Sequence, residues 1–535
     1  MLLTGTVFKG GLDLKFFEQM EFEDIDGVES PHQDAILARN ILRFFTMGWT
    51  ESWTQFLTPS VFYSFFVQRN SNLLKEVRFA MQQGFLELFK QLYGKDLNSV
   101  QHEQVQLYLS NCLCMLPYGD LTPYESFKIP QYISGHWELV EYQVTPIELT
   151  ATSGLRSLFI YDHDRVFAYG LKPLFHNNAE SHLIFMGTTY PAGQGFLTQI
   201  RTDAKGVESV GSSLYQMGRE KIHKWLNQQE NTIHVCGVSL GGALSLLLAI
   251  DNGNYTLSRI DALNPPGLYE PLFKNEHDYW DELDEKPKVV IQKQGDDPVS
   301  AFGLWKKEWE ILLVTPPKNK QGPNAFCDHC LNYAGFADTE FRYVAADYDN
   351  SKRKTSYNLI NALARSIIYY YFLVPYTYFF RPITYFAFNK LFTKADNMTY
   401  KENSELAKIH QPMLLRNAPM DMYHINNSIE MSLTYKQINT YYKVMRCLVK
   451  KKEYISNQES ESKHVKGVSK KTLLEKSLQF QELDSVVSFK ATKAKAAHIK
   501  HTLTLVHQIG IDNQEHLKQI VGENYQSYLL GKSQG

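Results

Sequence analysis

The stretch TIHVCGVSLGGALSLLLAI (residues 232–250) decides how the chain is read. TIHVC (232–236) is short, apolar and β-branched, as a buried strand is, and LGGALSLLLAI (240–250) has the length and apolar density of a buried helix. Between them stands Gly237-Val238-Ser239-Leu240-Gly241, a G-x-S-x-G turn followed at once by Gly242 and Ala243. A sharp strand-to-helix turn of this kind projects the serine hydroxyl from the sheet edge, and glycines on both sides leave room for the strained backbone. The competing interpretation is a glycine-rich turn whose serine only caps the following helix.

Strands and helices alternate on both sides of this stretch. Val140, Tyr142 and Val144 alternate with polar neighbours, and LFIYD (158–162) and RVFAYGLKPL (165–174) predict a hairpin. HLIFMG (182–187), RIDAL (259–263), KVVIQKQ (288–294) and WEILLV (309–314) read as strands, and Leu214 to Leu226 as a helix with Leu214, Met217, Ile222 and Trp225 on one face. This order predicts an α/β class with a mostly parallel sheet covered by helices. Helical spacing over residues 31–94 predicts a mainly helical N-terminal module. The division expected is 1–130, 131–348 for the α/β catalytic domain, and 349–535 for an aromatic-rich, Lys-rich helical C-terminal module.

A nucleophilic serine needs a base, and the base needs an acid that fixes its tautomer. Asp296-Asp297-Pro298 follows KVVIQKQ, which places a carboxylate at a strand end beside the turn. Asp297 is the preferred acid; Asp296, or a turn in which a carboxylate bonds its own backbone, are the alternatives. Of the histidines after Asp297, His329 alone falls inside the alternating region, and it is the expected base. Cys327-Asp328-His329-Cys330 also packs metal-ligating residues together, but no second Cys or His pair stands nearby at zinc-site spacing, so no metal is expected. A developing oxyanion needs two N–H donors. The amides of Leu240 and of Thr188, which ends the HLIFMG strand, are the candidates, with the Thr188 hydroxyl as a helper.

Taken in order, these motifs resemble the class 3 lipase family over residues 137–348. Phe185-Met186-Gly187-Thr188 is similar to that family's F-R-G-T segment, and Gly237 to Leu244 to its G-H-S-L-G-G-A-L turn. Leu263-Asn264-Pro265-Pro266-Gly267 is similar to F-G-x-P-x-x-G, Asp296 to Val299 to N-D-x-V, and His329 with Tyr333 to H-x-x-x-Y. Val238, Met186 and Ser300 depart from the usual histidine, arginine and proline. The resemblance implies an α/β-hydrolase core and a serine ester hydrolase, a lipase or phospholipase, without cofactor. Ser239, Asp297 and His329 would form the triad, and a lid would lie between Tyr190 and Val210. The rivals are a silent hydrolase-fold scaffold for lipids or partners, and an acyltransferase on the same triad.

Lys+Arg 55 against Asp+Glu 57 gives a net charge of −2, so no global field points to nucleic acid. Six cysteines in 535 residues are too few for a disulfide scaffold. Lys9, Asp13 and Lys15 interrupt the N-terminus, so no Sec-type signal peptide is read there. A cytoplasmic or membrane-associated working site is the expectation, and delivery into a host cell is compatible with it. SIIYYYFLVPYTYFFRPITYFAFNKLF (366–392) is aromatic and interrupted by Pro375, Arg381 and Pro382. It is too broken to span a bilayer comfortably. Peripheral membrane contact through it and the Lys-rich stretches is one expectation, and burial of an aromatic hairpin is the other.

Overall fold

The computed structural model describes residues 5–17, 30–48, 71–119, 121, 126–150, 165–174, 178–188, 195–206, 208–251, 255–269, 277–352 and 355–380. Along the chain, β1 (Val7–Lys9) precedes three helices, α1 (Ser30–Met47), α2 (Ser71–Leu92) and α3 (Ser99–Leu113). Then come β2 (Ser126–Ile133), β3 (His136–Glu148), β4 (Phe167–Pro173) and β5 (Ser181–Phe185). After α4 (Phe196–Ala204) and α5 (Ser212–Leu226), β6 (Ile233–Val238) leads directly into α6 (Leu240–Ile250). The strands β7 (Leu257–Leu263), β8 (Lys288–Gln294) and β9 (Glu310–Thr315) follow, then α7 (Ala325–Cys330), β10 (Glu340–Ala345), α8 (Ala346–Lys352) and α9 (Thr355–Ile367).

The strands form one ten-stranded sheet in the order β1-β10-β9-β8-β7-β6-β5-β4-β3-β2. It is mixed. The centre, β5 to β9, is parallel, because helices or long connections return the chain between those strands. The margins, β3-β4-β5 and β9-β10-β1, are antiparallel. The parallel strands therefore all point their C-terminal ends to one edge, where the segments after β5, β6, β7 and β8 emerge.

The two faces of the sheet are buried by different means. One is apolar: Leu183, Phe185, Val235, Ile260, Ala262 and Ile291 pack with Leu214, Ile222, Trp225, Leu244, Leu247 and Leu248 of α5 and α6. The other carries polar side chains that meet α3. Ser110 Oγ donates to Asp261 Oδ2 at 2.7 Å, and Asn111 Nδ2 donates to Gln292 Oε1 at 2.9 Å. The bond partners also fix the histidine tautomers. His234 Nε2–H donates to Asp261 Oδ2 at 3.0 Å, leaving its Nδ1 to accept from His182 Nδ1–H at 3.0 Å. Burial pushes His182 well below its ordinary pKa, which keeps it neutral. Burial raises the Asp261 carboxyl, but the Arg259 charge and the bonds from His234 and Ser110 outweigh it and hold it well below the carboxylate range.

Met1–Leu121 and Phe127–Asn397 form one compact unit, so the N-terminal helices share it with the sheet. The sequence patterns predict none of the strands β1, β2 and β10, nor the helices α3, α4 and α7. β10 is a six-residue strand between β1 and β9 whose Phe341 and Tyr343 alternate with exposed or half-buried neighbours. α3 buries Gln104, Ser110 and Asn111 beside its leucines, so no clean apolar stripe marks it in sequence. It starts instead at a capping box, Asn98 with Gln101. LFIYD (158–162) lies outside the described residues; β4 pairs with β3 and β5. Of 366–392, the part to 380 continues α9 as a helix with two π-helical segments, Ile368–Leu373 and Tyr376–Phe380. Residues 381–392 and the Lys-rich stretches are outside the described residues. Among those described, no helix is long and apolar enough to cross a membrane.

The Asp261 carboxylate accepts from Arg259, His234 and Ser110, so Asp261→Ala leaves the buried His234 and Ser110 donors unmatched and takes from Arg259 one of its two carboxylates, Glu103 being the other. A loss of about 1–3 kcal/mol in unfolding free energy is expected by chemical denaturation. A loss under about 1 kcal/mol would show that the network is relaxed or hydrated.

Candidate active site

Ser239 is the residue at which β6 becomes α6. Its backbone sits at φ 56°, ψ −122°, a region in which a non-glycine residue costs roughly 1–3 kcal/mol. Two backbone bonds hold it there: the Ser239 amide donates to Leu263 O at 2.9 Å, and the Ala243 amide donates to Ser239 O at 3.0 Å. The hydroxyl makes no capping bond, which removes the helix-cap interpretation. The flanking glycines have steric reasons. A Cβ on Gly237 would run into the backbone of Gly241, and one on Gly241 into the carbonyl of Phe185. The first-turn amides of α6, Leu240 among them, have no carbonyl of their own helix to bond. Together with the helix dipole they make this turn a place for negative charge.

The candidate acid and base meet. His329, on α7, donates Nδ1–H to Asp297 Oδ1 at 2.8 Å, which leaves Nε2 as the free lone pair. Asp297 is buried, and its carboxylate also accepts the amides of Val299 at 3.1 Å and Ser300 at 2.8 Å. Burial alone would raise its pKa, but the hydrogen bond and charge of His329 and the Ser300 amide together lower it. Asp296, the alternative acid, is exposed and gives its amide to Asp328 Oδ2 at 2.9 Å. Asp328 is occupied further by Tyr333, whose hydroxyl donates to Oδ1 at 2.8 Å. No group of three His, Cys, Asp or Glu side chains among the described residues is placed to hold a metal ion.

Asn264 joins the two halves of the site, and sequence reasoning gave it no role beyond its place in a motif. It follows β7 directly, next to the Leu263 carbonyl that holds Ser239. Its Nδ2 donates to Asp328 O at 2.9 Å and to His329 O at 3.0 Å, and its Oδ1 accepts the Gln294 amide at 2.9 Å. Its φ is 46°, where asparagine is tolerated better than most residues. Among the described residues the positive-φ positions other than glycine are Ser134, Ser239 and Asn264, so two of three lie here.

Thr188 lies three residues beyond the end of β5, beside the turn: a Cβ on its neighbour Gly187 would stand 2.8 Å from Val238 O. This places the Thr188 and Leu240 amides on adjoining segments. The Thr188 hydroxyl, expected as a helper, instead donates to Asp203 Oδ2 at 2.8 Å. Asp203 lies on α4, inside the interval read as a lid; residues 190–194 and 207 of that interval are outside the described ones. Its Oδ1 is shielded from water and has no hydrogen-bond partner. Burial pushes its carboxyl up to about 7, against the pull of the Thr188 bond and the Arg365 charge. Asp203, Asn361 and Arg365 share a cleft with Ser239, Leu240, Val210, Pro266, Tyr269, Val299 and Phe302. Its walls are mostly apolar, with the serine and three other polar side chains set among them.

Because the Asp203 carboxyl has a higher pKa folded than unfolded, it contributes most to stability below about pH 4. That contribution is lost as pH rises through about 7. Asp203→Asn should flatten this slope, so that its melting temperature gains on the native chain between pH 5 and 8. Parallel melting curves across that range would contradict the buried, proton-binding carboxyl.

No protein-family model matches the chain, and no curated protein does. Among solved structures it is similar in part to the Lip2 lipase from Yarrowia lipolytica, at 15% sequence identity and a TM-score of 0.21. The likeness covers 42% of this chain and 80% of that one. A likeness of this extent carries no argument about fold or activity, which rest on the residues described above.

Proposed function

We propose that the chain is a serine carboxylic-ester hydrolase of the α/β-hydrolase type, distantly related to class 3 lipases, acting on lipid acyl esters. The observation that carries this reading is the 2.8 Å bond between His329 and Asp297, tied through Asn264 to the strained turn that bears Ser239. A serine held at positive φ without a capping role, facing a cleft, is the arrangement a nucleophile needs.

In the proposed reaction Ser239 Oγ attacks the ester carbonyl while His329 Nε2 takes its proton. Asp297 holds the ring in the tautomer that accepts at Nε2 and stabilises the imidazolium that results. The Leu240 and Thr188 amides bond the developing oxyanion. Collapse expels the alcohol, which takes the proton from His329, and the acyl group stays on Ser239. Water then repeats the sequence, releasing a carboxylic acid and the free serine. Every step uses side chains and amides of this chain.

The apolar cleft wall of Val210, Leu240, Pro266, Val299 and Phe302 supports a lipid acyl chain as the group it receives. Each methylene removed from water there adds about 0.8 kcal/mol. With soluble esters of increasing acyl length, kcat/KM should rise by up to about fourfold per methylene until the cleft is filled. Ser239→Ala and Asp297→Asn should each reduce turnover by about 10³-fold or more, with free fatty acid as the native product. A profile that is flat or falls from acetyl onward would contradict the lipid assignment, and full turnover by Ser239→Ala would contradict the nucleophile.

A further inference from the structure

The helix that helps to line the Ser239 cleft is inverted relative to a water-facing helix. Its inner side is small and polar. Ala362 is 1% exposed, and its carbonyl approaches Gly206 so closely that a Cβ there would collide with it. Arg365 donates to the carbonyls of Asp203 at 3.0 Å, Gly206 at 3.1 Å and Glu208 at 3.2 Å. Asn361 and Arg365 face the cleft. The outer side is large and apolar: Ile360 63%, Leu363 53% and Ile367 55% exposed on α9, then Tyr371 75% and Phe372 66% on the π-helical continuation. Eight of the twelve exposed large hydrophobic residues described lie between 360 and 378. Spacings of three and four place Ile360, Leu363, Ile367 and Tyr371 along one stripe. Globular proteins seldom leave so continuous a patch to water unless something apolar meets it.

We infer that this outer face, from Ile360 to Phe372, is the surface on which the protein docks to an anionic lipid bilayer. Three features select lipid over another occupant. Tyr369, Tyr370, Tyr371, Tyr376 and Tyr378 are rings with one wet end and one apolar body, the residue type that settles at headgroup depth. Lys352, Arg353 and Lys354 immediately precede the helix in sequence and Arg381 follows it, a basic flank matched to anionic headgroups. The segment is amphipathic and lies along the protein, anchored by Arg365 and by Arg201, whose guanidinium stands 5.6 Å from the Tyr378 ring; over its described residues it is not long and apolar enough to cross a membrane. The docking surface stands on its own. Its consequence rests on the ester-hydrolase reading: a helix with lipid outside and the Ser239 cleft inside would deliver the cleft to the surface where acyl esters are found.

The test uses the full chain carrying Ser239→Ala, so that binding is read without hydrolysis. Flotation with vesicles of phosphatidylcholine and phosphatidylglycerol is compared with and without Leu363→Glu, Ile367→Glu and Phe372→Glu, all exposed positions. The parent should float, with less bound to phosphatidylcholine alone, and the triple variant should lose about tenfold or more of the bound fraction. Leu363→Met, Ile367→Leu and Phe372→Leu together should retain it. Absence of flotation by the parent, or equal flotation by the Glu variant, overturns the docking surface. So does a triple variant whose change is confined to a shift from dimer to monomer, or to a lower melting temperature. In the Ser239 background, the Glu substitutions should leave hydrolysis of a short soluble ester unchanged, which separates failure of docking from failure of the catalytic reading.

Discussion

The backbone of the Ser239 turn passes so close to its neighbours that two of its positions admit no side chain, and the geometry of the cleft depends on this crossing. Gly241 sits on the carbonyl of Phe185 and Gly237 sits on Gly241, which presses the first turn of α6 onto the ends of β5 and β6. The press fixes Ser239 at positive φ, aims the α6 amides at the space beyond the sheet, and sets Thr188 alongside. A small side chain at either glycine would push the helix outward and separate these groups. The strain at Ser239, roughly 1–3 kcal/mol, is offset by a helix that is buried along its whole length.

The neighbouring strand ends are connected to this turn by polar bonds. Leu263 O receives the Ser239 amide, and Asn264 beside it spans to β8 through Gln294 and to α7 through the carbonyls of Asp328 and His329. The candidate base His329, and the strand end that leads to the candidate acid Asp297, are therefore held relative to the turn by bonds from the Asn264 side chain. On the opposite face of the sheet Asp261, His234 and Arg259 hold α3 in an equally polar contact. The molecule spends buried hydrogen bonds where a smaller fold would use hydrocarbon, and each unmatched partner would be costly.

Much of this was legible in the sequence because the informative signals were local. β6, α6 and β8 announce themselves by continuous apolar or β-branched runs between turn residues; Ser239 stands between the first two and Asp297 shortly after the third, whereas His329 lies on α7, a six-residue helix without such a run. What was not legible depends on long-range partners. α3 buries polar residues whose partners come from β7, β8 and the segment after α7 (Asp261, Gln292 and Asn332), so its helical period is masked. Asn264 looks like any residue before two prolines until its φ and the three bonding partners of its side chain are seen. The Thr188 hydroxyl could not be assigned without Asp203, which sequence places fifteen residues away on a different element.

The central claim is that Ser239 is an activated nucleophile served by His329. It is tested most directly by covalent labelling of the full chain with a fluorophosphonate probe, in parallel with Ser239→Ala and His329→Ala, in detergent and on lipid vesicles. The account predicts labelling of the native chain, confined to Ser239 by peptide mapping, and its loss in both variants. A native chain that takes up no probe under either condition, or His329→Ala labelled as fast as the native chain, would contradict it.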